Sequence, residues 1–567
     1  MKTPDDSRPT IRSASLAAAG LLAIAPLASP ATAGEPAFRE ARAAWGLEFH
    51  HNAGLSGRKY MVETMGGGVV LFDYDGDGDD DAFFVDGGVL PGYEGPPPRS
   101  RLLRNDAGPG GPRFVDVTDK SNIDFGGYGV GGVAGDVDND GDPDLYVTAF
   151  GSNELYLNHG DGSFRAAGAE RGVDDPRWSA SAAFGDLDLD GDLDLYVTNY
   201  TDFSITNHKF CGLGGSGGNG DSPSAEPQRG YCHPDMYNGV PDRLYRNDGH
   251  GFFIDATAES GLDGPAEAGL GVVIGDLDGD RWPDLYVAND KDPNLLFRSL
   301  GNGRFEDESL LSGAAYDRSG SAEAGMGVEL ADLDGDGLQD LVVTNFALET
   351  NAFYRSAGDG VFLDRRFPSG LAPPSLQRLA FGVNALDADL DGDLDLFVAN
   401  GHIQPEAKRI GEVGTYEQPN QLFENLGGGR FRERPDAGLD TVRTSRGSAV
   451  ADLDLDGDLD IVVVNSNQPS EAYENRAESG WFALGFSQGG TESAGAVGAA
   501  VVLTADGRTQ FRETRAGSSY LSQSTLTAFF GVGEAGRIER VTIRHPLQGQ
   551  PLVLRDLPVD RRVRLRR

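Results

Sequence analysis

The sequence predicts an all-β chain, and three observations carry that prediction. A nine-residue aspartate pattern recurs seven times, a strand-like run flanks each copy on both sides, and tight Gly/Asp turns join the runs. The pattern D-x-D-x-D-G-x-x-D begins at Asp73, Asp136, Asp186, Asp276, Asp332, Asp387 and Asp452, at intervals of 63, 50, 90, 56, 55 and 65 residues. Each copy is preceded by an apolar run such as Gly271-Val-Val-Ile-Gly275 and followed by one such as Asp194-Leu-Tyr-Val-Thr-Asn199. A third run (Asn153–Asn158), a glycine turn and a fourth run from Phe164 complete the unit, and the order recurs at Arg243–Phe252, Asn294–Phe305, Asn351–Phe362 and Asn420–Phe431. Four strands per unit and seven units make a seven-bladed β-propeller, which counts as a single domain despite the length of 567 residues.

The ring must close without leaving an edge strand open. The last unit has its loop at Asp452–Asp460 and a third strand at Ala472–Asn475, and then passes into unrelated sequence at Trp481. Residues Phe38–Leu47 resemble the fourth strands of other units and precede the first loop with no blade of their own. This orphan strand is expected to complete the last blade. The expected organisation is 1–33 signal peptide, 38–476 propeller with an insertion at 201–241 in the third blade, and 481–567 a small all-β domain.

The loops have the donors of calcium sites. Position 1 is Asp73, Asp136, Asp186, Asp276, Asp332, Asp387 or Asp452, and position 3 is Asp75, Asp138, Asp188, Asp278, Asp334, Asp389 or Asp454. Position 5 is Asp77, Asp140, Asp190, Asp280, Asp336, Asp391 or Asp456, and position 9 is Asp81, Asp144, Asp194, Asp284, Asp340, Asp395 or Asp460. These carboxylates, with a carbonyl at position 7, can wrap one hard cation, and glycine at position 6 permits the sharp turn. Position 12 is apolar in every copy (Phe84 and six valines), which excludes an EF-hand and leaves position 9 to supply the bidentate carboxylate. Up to seven structural Ca2+ ions follow. The 28 loop acids are so large a share of the 89 that without them the net charge of −41 falls to −13. The fourth loop has Arg281 in place of the glycine and is expected to be the weakest site.

Other features bound the function. Lys2, Arg8 and Arg12, an apolar run over Leu16–Ala28 and Ala31-Thr32-Ala33 form a secretory signal, with cleavage before Gly34 and export to the periplasm or beyond the cell. No later segment is long and apolar enough to span a membrane. The acidic excess argues against nucleic acid as a partner. Cys211 and Cys232 flank glycine-rich sequence in the insertion. They form a disulfide, a metal site with His208 and His233, or free thiols. Second strands end in Asn199, Asn289, Asn345, Asn400 and Asn465, which cap turns or ring the channel mouth with polar groups. Ser518, Ser519, Ser522 and Ser524 lack a nucleophile elbow and read as a hydroxyl-rich turn. His50, His51 and His402 read as surface histidines. The C-terminal 87 residues carry 12 Arg, no Lys and 7 acids, which suits docking on the acidic ring or an anionic ligand.

Beyond the loops themselves, the chain resembles the FG-GAP/VCBS propellers, whose calcium loops are shared with integrin alpha subunits. More closely it resembles the cartilage acidic protein family and its bacterial relatives, on Glu63-Thr-Met-Gly-Gly-Gly68, Pro293-Asn-Leu-Leu-Phe297, Ala324-Gly-Met-Gly327 and Pro419-Asn-Gln-Leu-Phe423. Trp481–Leu565 is similar to the ASPIC/UnbV domain, notably at Arg515-Ala-Gly-Ser-Ser-Tyr-Leu-Ser-Gln-Ser524, with Phe529 where a histidine is expected. The resemblance implies a calcium-binding extracellular protein. The function expected is non-enzymatic binding or adhesion to a glycan or protein ligand. Its rivals are a polysaccharide-acting enzyme on the same scaffold and a structural envelope or matrix component. No converging acid/base set is identifiable in the sequence.

Overall fold

A computed structural model describes residues 37–567 apart from 109, 213–228, 411–412, 488–496, 546–549 and 567. The expected signal peptide, 1–33, lies outside the described residues. Seven four-stranded antiparallel sheets follow one another along the chain. In blade 2, for example, the strands are Gly129–Gly135, Asp144–Ala149, Glu154–Asn158 and Phe164–Ala166, from the inside outward. The innermost strands touch their neighbours all the way round, and Ser445–Ala451 of blade 7 returns to Val69–Phe72 of blade 1. The ring is a propeller of seven blades. Second strands such as Asp194–Asn199 are buried along their whole length, which is why they read as continuous β-branched and aromatic runs rather than as alternation.

The clasp is made by the orphan strand. Phe38–Glu40 pairs antiparallel with Glu471–Asn475, Phe38 opposite Asn475 and Glu40 opposite Tyr473. It is shorter than the sequence suggests, because the chain turns into a helical turn at Arg42–Trp45. The outermost strands of other blades behave alike, as at Phe305–Asp307 before Ser309–Ser312, since an exposed edge three residues long offers little to a foreign strand.

The C-terminal segment forms two sheets. Gly480–Ser487 lies between Ala528–Gly533 and Arg561–Arg566, and Arg508–Glu513, Ala500–Ala505, Ile538–Arg544 and Leu552–Leu557 make the other. Ring and C-terminal sheets belong to one compact unit, Ala37–Arg567. The reason is the serine-rich turn, which enters the central channel. Ser519 exchanges backbone hydrogen bonds with Val328 (2.8 and 2.9 Å), and Gln523 donates to Val69 O (3.0 Å). The Leu521 carbonyl accepts from Gly132, the Ser524 hydroxyl from Val450 N and the Ser519 hydroxyl from Val383 N. Gly68 and Gly131 make the space, since a Cβ on either would meet Leu521 at 2.1 or 2.9 Å. Tyr520, fully buried, donates from its hydroxyl to Met65 O (2.9 Å).

At the end of the channel away from the loops, the insertion of blade 3 packs over the ring. The disulfide Cys211–Cys232 (Cα–Cα 5.2 Å) joins the same apolar cluster as Tyr520 and Leu521. Tyr231 donates to Glu63 Oε2 (3.0 Å) and its backbone N–H to Gln404 Oε1 (3.1 Å), which ties the insertion to blades 1 and 6. The channel is therefore a packed core, and the strand-end asparagines do not line a mouth. Asn289 donates to Pro293 O (2.6 Å) and Asn465 to Pro469 O (2.9 Å), so they cap turns. His51 and His402 are buried rather than on the surface, each in the field of the fully buried Arg446.

Tyr520→Ala is expected to destabilise the protein by about 3–5 kcal/mol, as for other large buried aromatics. Denaturant unfolding should show the blades and C-terminal sheets melting together. A loss near zero, or two separate transitions, would contradict the role of the plug.

Candidate metal centres

Each aspartate loop joins the inner strand of a blade to its second strand, so all seven lie on one face of the ring. Two backbone positions in every loop take a positive φ. Position 6 does so at Gly78, Gly141, Gly191, Gly337, Gly392, Gly457 and Arg281 (φ 79°), as the sequence suggests. Position 4 does so too, and there the chain places Asn139, Leu189, Leu390 and Leu455 as well as glycines. The strain at Arg281 is thus matched in four other loops, and the backbone argument does not single out the fourth site. What distinguishes it is the positive charge.

In loops 1 to 5 the structure brings together three of the four expected carboxylates, leaving out position 5 in loops 1, 2 and 4 and position 9 in loops 3 and 5. Asp73, Asp75 and Asp81 each bring one oxygen to within 4.8 Å of the others, as do Asp136, Asp138 and Asp144, and Asp276, Asp278 and Asp284. In loops 3 and 5 the groups are Asp186, Asp188 and Asp190, and Asp332, Asp334 and Asp336. One oxygen on each of Asp75, Asp138, Asp188, Asp387 and Asp452 is buried and accepts no hydrogen bond. A buried ionised oxygen without a donor is costly, and a hard cation at the centre of the loop is the partner that fits it. Burial, reinforced by neighbouring aspartates, pushes Asp136 and Asp186 up to about 7 and Asp284 and Asp340 up to about 8.

Position 9 has a second task that the sequence did not disclose. Asp81 Oδ2 accepts the N–H of loop residue Tyr74 (3.1 Å), while its Oδ1 accepts the N–H of Asn105 on the third strand (2.7 Å). The same pair of bonds recurs in the other six blades, as at Asp144 with Val137 and Asn158, and at Asp460 with Leu453 and Asn475. Both oxygens are pinned by backbone, so the carboxylate fixes the loop as well as facing its centre. The asparagines at the third-strand ends extend the chain of bonds between blades. Asn158 donates to Tyr74 O (2.8 Å), Asn247 to Val137 O (2.7 Å), Asn425 to Leu333 O (2.8 Å) and Asn475 to Ala388 O (3.2 Å). Asn105 to Leu453 O (2.9 Å) carries the lock from blade 1 to blade 7. The recurrence of Asn at that strand position is the signal that would have found it.

The arginine-rich C-terminal sheets dock on this face. Arg562 pairs with Asp452 (3.0 Å), and Arg562 and Arg564 donate to Gly78 O (3.2 and 2.6 Å). Arg508 meets Asp393 and Asp391 O, and Arg515 donates to Leu330 O (2.6 Å). The half-buried Arg512 lies in the field of Asp387 and Asp332. Phe529, in place of the expected histidine, packs into a cluster with Leu386 and Ala388 of blade 6 and lies 5.6 Å beneath the Arg562 guanidinium.

The loops also organise the likeness to known proteins. Residues 136–197, 276–343, 332–398 and 413–463 match the FG-GAP-like repeat family, and 489–567 match the ASPIC and UnbV family. The first three repeat matches each run from one aspartate loop into the strand after the next. Cartilage acidic protein 1 of Xenopus tropicalis is 30% identical over 295 residues, and that of Mus musculus 29% over 301, each match covering 50% of this chain and 43% of the relative. The chain thus matches less than half the length of those relatives. A solved lectin of Agrocybe aegerita, described as recognising non-reducing terminal N-acetylglucosamine, is 17% identical with a TM-score of 0.37, covering 65% of this chain and 79% of its own. Repeats that span the aspartate loops, followed by the domain whose turn fills the channel, make this chain an FG-GAP-repeat protein with a C-terminal ASPIC and UnbV domain, related to cartilage acidic protein 1.

Proposed function

We propose that the chain is an exported calcium-binding propeller that acts as a non-enzymatic binding or adhesion protein for an extracellular glycan or protein. The observation that carries this reading is the set of buried aspartate oxygens that converge in the loops without a hydrogen-bond donor. In each loop the carboxylates of positions 1, 3, 5 and 9 hold one Ca2+, and the ion offsets their mutual repulsion and rigidifies the loop. Export agrees with the disulfide. Among the described residues no helix is long and apolar enough to cross a membrane. Binding glycan and peptide arrays with and without calcium tests the reading. A ligand retained only with calcium is expected, and turnover of a bound polysaccharide would overturn the non-enzymatic assignment.

The ion-free and ion-loaded states should respond to pH with opposite sign. Burial raises Asp332, Asp186 and Asp340 to about 6, 7 and 8, against roughly 3.9 when unfolded. Between those values the folded ion-free ring binds more protons than the unfolded chain, so its stability falls as pH rises. With calcium bound, protons compete with the ion, and stability falls as pH drops. Melting temperatures at about pH 5 and pH 8, in chelator and in millimolar calcium, test this. Slopes of the same sign in both media would contradict calcium as the partner of these carboxylates.

A further inference from the structure

The docked arginines cover the loop face unevenly. They reach loops 1, 5, 6 and 7, while beside loops 3 and 4 the C-terminal sheets stand off from the ring around a cleft of about 840 Å³. That volume lies within the range of roughly 300–1,000 Å³ usual for ligand sites.

Loop 4 departs from its six counterparts at residues that line this cleft. Position 6, glycine elsewhere, is Arg281. Position 7, which is Asp79, Asp142, Asp192, Asp393 or Asp458 in five loops and Leu338 in loop 5, is Trp282. The exchange removes a carboxylate and adds a cation and an indole. Arg281 is exposed and Trp282 half-buried beside the turn at Gly301. Arg544, at the end of the C-terminal strand Ile538–Arg544, also lines the cleft and is exposed. Among the described residues neither guanidinium makes a side-chain hydrogen bond, ion pair or ring contact, although most other arginines of the C-terminal sheets are engaged. Two unengaged cations and an aromatic ring border one cavity on an otherwise acidic face.

We propose that this cleft binds a uronic-acid oligosaccharide, its carboxylates held by Arg281 and Arg544 and the apolar face of one sugar ring laid on Trp282. The inference rests on the calcium reading, because ions in loops 3 and 4 neutralise the aspartates beneath the ligand. Arginine matches a carboxylate bidentately. An anionic group, hydroxyl donors and a flat C–H face on one ring are together the chemistry of a uronic acid. An acidic peptide carries its carboxylates on flexible stems and presents no such face.

Titration calorimetry of the full chain in calcium with trigalacturonate, its neutral methyl ester and a tetraglutamate peptide tests the proposal. Trigalacturonate should bind, and the ester and the peptide at least tenfold more weakly. Arg544→Gln should cost tenfold or more with the melting temperature in calcium unchanged, and Trp282→Ala tenfold or more with the number of bound calcium ions unchanged. Arg281→Gly should lose the saccharide to the same degree while calcium binding is kept or tightened. Equal binding by the three variants and the parent, equal binding of the peptide, or no binding of trigalacturonate to a calcium-loaded chain would overturn this inference alone. A chain that takes up no calcium would instead overturn the reading on which it rests.

Discussion

The structure depends on burying a carboxylate in every blade. The ninth loop aspartate, from Asp81 to Asp460, is all but inaccessible to solvent in all seven copies. Its two oxygens accept backbone N–H groups from the loop and from the third strand, so it sets the angle between them. The adjoining asparagine of five blades then reaches the loop of the preceding blade. Loop, blade and ring are thus held through one anionic group whose neighbours are anionic too. A low-dielectric cluster of that kind is stable when a cation shares it, and costly otherwise.

That arrangement explains what could be read from the sequence. The loops repeat a spacing that chance does not produce, and the burial of second strands leaves apolar runs such as Asp460–Asn465. The clasp was legible because one blade lacked a strand and one strand lacked a blade. Less legible was anything whose partner lies far along the chain. Nothing in Arg515–Ser524 reveals that its hydroxyls and carbonyls satisfy inner strands of several blades. In isolation it has the composition of a turn, and only the glycines at 68 and 131 hint at a close approach. Leu189, Leu390 and Leu455 were unreadable for another reason. Leucine is a poor residue for a positive φ, and the tertiary fold overrides that preference.

Filling the channel moves the question of function outward. Many rings could use a central mouth as a binding site, but here Tyr520 and the disulfide-bonded insertion share one apolar cluster there. The basic C-terminal sheets occupy much of the loop face, which is one of the two readings their charge allowed. The margin where docking is incomplete is open to a ligand, and the loop with a cation and an indole in its turn faces that margin.

The central claim is that the aspartate loops are filled by calcium and that the fold relies on it. Native mass spectrometry of the intact chain in calcium, followed by melting in chelator, addresses both halves. Up to seven bound ions are predicted, with a large fall in melting temperature on their removal, since even one ion at 100 times its dissociation constant stabilises by about 2.7 kcal/mol. A chain that carries no calcium, or that melts at the same temperature without it, would contradict the account.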